Sequence, residues 1–333
     1  MKRIALYYVI ILTVLFFTNS QISPDVITER TKFDTDDPAI WINQKDPSQS
    51  IIFGTDKHYD GAIYAFDLKG RIIREKTMQG FKRPNNIDIR YNFQINDSIK
   101  VDIMAFTERE REQVRIFSVP DMKPVDGGGL KVFEDEENSK FRKPMGISLY
   151  SSPIDNQMYL IVSRKNGPKT NYLYQYKLIA GNSIISLELV RKFGNFSGKK
   201  EIEAIAVDDE LGFIYYSDEG HCIRKYYAEP SKGNKEIYCF GGETFKGDIE
   251  GIAIAAYDDD SGYIIVSNQY NNSFNIFSRN ENEFIKELDL KTKQTDGCEV
   301  VTVFLNNTFN SGLFVAMNND RNFYLYNLSR LGI

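Results

Sequence analysis

Thr35-Asp36-Asp37-Pro38-Ala39-Ile40-Trp41 sets two adjacent carboxylates at the mouth of a short apolar run, with a proline holding the junction. The same plan, a polar or small residue entering an apolar strand, recurs five times. The copies are Asn85-Asn86-Ile87-Asp88-Ile89, Pro144-Met145-Gly146-Ile147-Ser148-Leu149, Ile202-Glu203-Ala204-Ile205-Ala206, Asp248-Ile249-Glu250-Gly251-Ile252-Ala253 and Thr295-Asp296-Gly297-Cys298. Each copy except the one at Pro144 carries Asp or Glu near the strand start. A fold that gathers the six starts would therefore build a ring of carboxylates.

Working outward, a second set of runs follows at a fixed phase. Ile63-Tyr64-Ala65-Phe66 is echoed by Val114–Phe117, Leu173–Tyr176, Ile223–Tyr226, Phe274–Phe277 and Phe323–Tyr326. Each is preceded by another β run, such as Tyr159–Val162 or Tyr263–Val266. A repeat of about 50 residues with three or four strands per unit is the pattern of a β-propeller. Six copies predict an all-β fold: a single six-bladed propeller of antiparallel four-stranded blades. Arg71–Glu75 and Phe284–Leu288 are expected as outer strands. The last blade ends abruptly near Leu331, so Val26–Phe33 is expected to supply its missing edge and close the ring. Innermost strands of a propeller all run the same way along the axis, so their starts share one pole.

Bulk properties agree with this reading. The 333 residues, with 42% hydrophobic and 13% aromatic content, suffice for a packed core. A formal net charge of −5 gives no sign of a nucleic-acid partner. Lys2 and Arg3 precede the apolar run Ile4–Phe17, which is shorter than the roughly 20 residues needed to span a bilayer. Residues 1–23 are therefore expected to be a signal peptide and 24–333 the propeller, exported to a periplasm or secreted, monomeric, and off the membrane after cleavage. An uncleaved anchor is the alternative. Cys222, Cys239 and Cys298 begin no CxxC pair; they are expected as small packing residues, with one disulfide left open.

Clustered carboxylates stay ionised only when cations neutralise them. Oxygen ligands in a chain with two histidines suit Ca²⁺ rather than zinc or iron. The familiar metal-free phosphatase signatures are missing. Neither His58 nor His221 sits in Arg-His-Gly, and the positions six after each cysteine are Ala228, Phe245 and Phe304 rather than arginine.

In their order and spacing, Asp36–Trp41, Asn85–Tyr91, Ile202-Glu203 before Val207–Glu210, Asp248–Gly251 and Thr295–Gly297 resemble the β-propeller phytases, from about residue 31 to the C-terminus. The resemblance implies a 3-phytase-type phosphoric monoester hydrolase. Its expected reaction is calcium-dependent, stepwise hydrolysis of phytate (myo-inositol hexakisphosphate, taken as calcium-phytate), by attack of a calcium-bound water. By position it implies Asp36, Glu203, Glu219, Asp248, Glu250 and Gln269 as ligands of a catalytic calcium cluster. It further implies Asp37 and Asp296 for a neighbouring calcium, and Asn86 with Asp88 for another. Lys57, Arg109 and Lys165, with Tyr150, resemble the phosphate-binding set, and with Glu203 they form the expected catalytic group. His58 stands where the family often has a second lysine, and Gly220-His221 follows Glu219 where the family is commonly acidic. Two other readings stay open: a non-catalytic propeller platform, and a calcium-dependent lactonase-type propeller.

Overall fold

The computed structural model describes residues 21–96, 98–258 and 260–333. Helical structure among them is limited to short 3-10 turns, and the strands form six antiparallel sheets. Blade one is Thr35–Trp41, Ile51–Asp56, Gly61–Phe66 and Met78–Phe81 in sequence order. Blades two to five begin with innermost strands Pro84–Asn96, Pro144–Ser151, Ile205–Asp208 and Ile249–Ala256. Blade six contributes Cys298–Val301, Leu313–Asn318 and Asn322–Asn327. Val26–Ile27 completes it, pairing Val26 with Leu325 and Ile27 with Tyr324. The ring is thus closed by the expected segment. Its strand is shorter than Val26–Phe33, although Thr28 and Thr31 still donate backbone hydrogen bonds to Phe323 and Arg321.

The core is divided among the seams between blades. Trp41 and Phe53 of blade one meet Met104 and Phe106 of blade two. Phe66 of blade one meets Phe323 and Leu325 of blade six. Comparable clusters fill the remaining seams. This explains why second strands such as Ile51–Asp56 read as unbroken apolar runs: both of their faces are covered. Each large side chain so buried contributes about 1.5–3 kcal/mol.

Two expectations are corrected. Arg71–Glu75 is no strand: Ile72 makes a single bridge to Phe66, Arg74–Lys76 is a 3-10 turn, and Met78–Phe81 is the outer strand. Phe284–Leu288 is one. Cys222 and Cys239 are joined in a disulfide rather than packed as thiols, while Cys298 is free and buried. The proposed signal segment lies outside the described residues up to position 20. Beyond it, Ile22 already bonds Asp289 through the backbone.

Candidate active site

Four innermost strands share a local irregularity at their starts. The register shifts between Thr35 and Pro38, Pro84 and Ile87, Pro144 and Ile147, and Ile249 and Ile252. Such bulges re-aim side chains without ending the ladder. The effect in blade one is to split a carboxylate pair. Asp36 turns to the pole, where it accepts from Lys57 Nζ at 2.7 Å and Asn85 Nδ2 at 3.0 Å. Asp37 turns into the axial channel, where it accepts from the Ile87 amide at 3.0 Å. Close backbone approach also matters here. A Cβ on Gly146 would lie 1.8 Å from the Glu203 carbonyl oxygen, and one on Gly297 would lie 2.2 Å from Asp37 Oδ1.

Lys57, Arg83, Arg109, Lys165, Lys200, Glu201, Glu203, Glu219, Asp248, Glu250, Gln269 and Tyr270 line one polar cleft of about 390 Å³. Asp296 joins them through Lys57 Nζ at 2.8 Å and through Gln269. Residues from blade one and blade six therefore meet. One carboxylate oxygen each from Glu219, Asp248 and Glu250 lies within 4.8 Å of the others, and Glu201, Glu203 and Glu219 form a second such group. Burial, reinforced by Asp36, pushes Glu203 up to about 7. Burial and then Glu203 push Glu219 up to about 8, and Glu250 is raised well above the usual range for the same two reasons. Burial raises Asp296 to about 6, with Lys57 opposing the shift. Lys57 is itself held well above its ordinary value, because Asp36 and Asp296 outweigh a desolvation that acts the other way.

This set fits a hard divalent cation. The donors are all oxygen, they sit at bridging distance, and the buried Glu219 Oε1 has no hydrogen-bond partner. Lysines carry part of the countercharge in its place: Lys165 pairs with Glu201 and Lys200 with Asp248. The groups can thus bind a cation through the acids and an anion through the bases. Glu201, Lys200, Arg83 and Tyr270 were not among the expected site residues. Lys200 and Glu201 could have been found by extending the strand-start phase a few residues upstream of Glu203.

Five expected residues, Tyr150, His58, Asp37, Asn86 and Asp88, sit elsewhere. Tyr150 is buried at the far end of Pro144–Ser151, roughly 20 Å along the strand from its start. There it packs with Tyr159 and its hydroxyl donates to Glu229 at 3.3 Å, so it does not reach the cleft. His58 is exposed and stacked on Phe33, ring centroids 3.9 Å apart, outside the cleft lining. Asp88 lines the axial channel with Asp37, Asn86 and Glu299. Its Oδ1 accepts from the Ile89 amide and Arg90, and its Oδ2 from Ser148 Oγ and the Leu149 amide, which leaves no lone pair for a cation in this arrangement. Asn86, by contrast, keeps an unpartnered buried Oδ1.

Fold and cleft together define a six-bladed β-propeller with a carboxylate-and-cation pole. The model of the family described as Phytase matches residues 17–324, and the chain belongs to that family, a phytase-type phosphoric monoester hydrolase. It is 29% identical over 301 residues to the 3-phytase of Bacillus subtilis (strain 168), covering 86% of this chain and 74% of that protein. Among solved structures it resembles the β-propeller domain of Cps50 (Swd1) from Myceliophteria thermophila, with a TM-score of 0.51 and 9% identity, covering 90% of this chain and 86% of that one. That likeness concerns the fold alone.

Proposed function

We propose that this phytase-family chain removes phosphates from phytate stepwise and depends on Ca²⁺ held at the blade-start pole. The observation that carries the reading is the grouping of Glu203, Glu219, Asp248 and Glu250 in one cleft with Lys57, Arg109 and Lys165. Asp36, Glu203, Glu219, Asp248, Glu250, Gln269 and Asp296 would hold the ions. Bound Ca²⁺ would cancel the acids' charge and acidify a water for attack on phosphorus. The chain's own residues do the rest. Lys57, Arg109 and Lys165 bind phosphate oxygens and offset charge developing on them. Asn85 orients the acids, its Nδ2 donating to Asp36 at 3.0 Å and to Glu203 at 3.3 Å. The Cys222–Cys239 disulfide supports export to an oxidising compartment.

The test is phosphate release from phytate with and without a chelator. Activity lost on chelation and restored by added Ca²⁺ is the expected result. Undiminished release in chelator would exclude the calcium dependence.

A further inference from the structure

Blades two and three are longer than ring closure requires. Among the described residues, no strand outside these two blades exceeds eight residues. Pro84–Asn96 and Ile99–Glu108 in blade two have 13 and 10, and Thr170–Gly181 and Ile184–Asn195 in blade three have 12 each. The surplus lies at the pole opposite the strand starts, where the innermost strands end. Register shifts between Arg90 and Phe93 and between Gln94 and Asn96 bend the first hairpin. Phe93, Ile95, Leu178 and Ile185 carry the apolar seam between the blades out into both hairpins, and the Ile185 amide donates to the Val125 carbonyl at 2.7 Å. The two extensions are thus fixed against the body of the ring.

Between them lies a cleft of about 820 Å³, against about 390 Å³ for the candidate active site. Small-ligand sites commonly occupy about 300–1,000 Å³. The lining differs in kind from that of the acidic pole. It holds no Asp or Glu, although the chain has a formal net charge of −5. Lys100 and Lys177 line it, and neither side chain makes a hydrogen bond or ion pair among the described residues. Asn92, Gln94, Asn156 and Gln157 add amides and Ser151 a hydroxyl; the side chains of Asn92, Asn156 and Ser151 are likewise without a hydrogen bond there. Ile179 and Ala180 add half-buried apolar surface.

Such a lining selects among ligands. Sugar hydroxyls both donate and accept, as amides do, whereas lysine only donates and pairs with anions. A flat aromatic ligand finds no free ring: Tyr91 is tied to the Ile42 amide at 2.9 Å, and Phe93 is buried in the seam. A lone small anion would leave the amides and most of the volume unused. We propose that this cleft binds an acidic oligosaccharide, a short chain of sugar units bearing carboxylates. Its hydroxyls meet the amides and Ser151, its carboxylates meet Lys100 and Lys177, and its CH faces lie on Ile179 and Ala180. None of these residues belongs to the candidate active site, so one pole holds the saccharide while the other stays open.

The experiment is calorimetry on the full chain with three probes: a galacturonate tetramer, a tetramer alternating glucuronate with N-acetylglucosamine, and the neutral methyl ester of the first. At least one acidic tetramer should bind, more weakly as salt is raised, and the ester should bind about tenfold less well than its acid. Combining Lys100→Gln with Lys177→Gln should weaken the acidic tetramer about tenfold, the loss of two partly exposed charge pairs. The thermal melt of that double variant should match the parent's, since both lysines lack partners. Asn156→Gly suits the residue's φ of 55° and should weaken acid and ester alike, because it removes hydroxyl recognition and no charge. Failure of both acidic tetramers to bind would overturn the assignment. So would binding that persists unchanged in the double variant, which would place the saccharide at the acidic pole. If vesicles of anionic phospholipid bind through the two lysines while neither tetramer does, the ligand is a lipid surface and the saccharide reading fails.

Discussion

Asp88 and Glu219 are both buried acids of this propeller, and the structure treats them in opposite ways. Asp88 is saturated with donors from blades two and three, including Arg90 at 2.8 Å. Glu219 has an oxygen with no donor at all, faces four other acids in two groups, and is pushed up to about 8 by burial and by Glu203. A satisfied buried acid staples blades together. An unsatisfied one costs stability that a ligand can return. The difference separates these two acids better than residue type or burial does.

The comparison can be broken in four ways. Glu203→Gln should cut phytate turnover by about a thousandfold while leaving the fold intact. Measured in chelator, its melting temperature should rise, because a buried charge has been removed; an active variant would end the assignment. Asp88→Ala should act on the other side of the contrast. Losing one of the two carboxylate partners of a largely buried Arg90, and the acceptor of the Ser148 hydroxyl and the Leu149 amide, costs about 3 kcal/mol, seen as a lower denaturation midpoint, with the calcium response retained.

A pH series sharpens the same distinction. Glu203 and Glu219 have folded values near 7 and 8 against an ordinary 4.5, so the unfolded chain ionises first as pH rises. Below about pH 4.5 neither state carries the cost; between about 4.5 and 8 stability is progressively lost. The chelated protein should therefore melt several degrees lower at pH 8 than at pH 5, and Ca²⁺ should remove the difference. Equal melting at both values would contradict the electrostatics described. The smallest effect is expected for Tyr150→Phe. It deletes one hydroxyl contact with Glu229, worth about 1 kcal/mol, and should leave kcat and KM within about twofold.

Much of this could be read from the chain. The repeat phase of runs such as Ile63–Phe66 and Phe323–Tyr326 located every blade, since strands covered on both faces leave continuous apolar signals. Outer strands left weaker ones, which is why Arg71–Glu75 looked like a strand while Met78–Phe81 is the strand. Acids at the strand starts converged because all six starts share a pole. Tyr150 was misplaced because a residue six positions into an innermost strand belongs to the other pole. His58 was misjudged because no pattern announces a stacking partner as near as Phe33. Arg83 was missed for a different reason: it lines the cleft from just ahead of the strand Pro84–Asn96, outside the acidic strand-start pattern.

Ring closure by Val26–Ile27 on Asn322–Asn327 sets the order of events in biosynthesis. A ribosome has to deliver the last blade before the first can be locked. Asp36, made early, then meets Asp296 across Lys57 only at the end. Until that moment a nascent propeller is an open arc with one unsealed hydrophobic seam, and its acidic pole is incomplete.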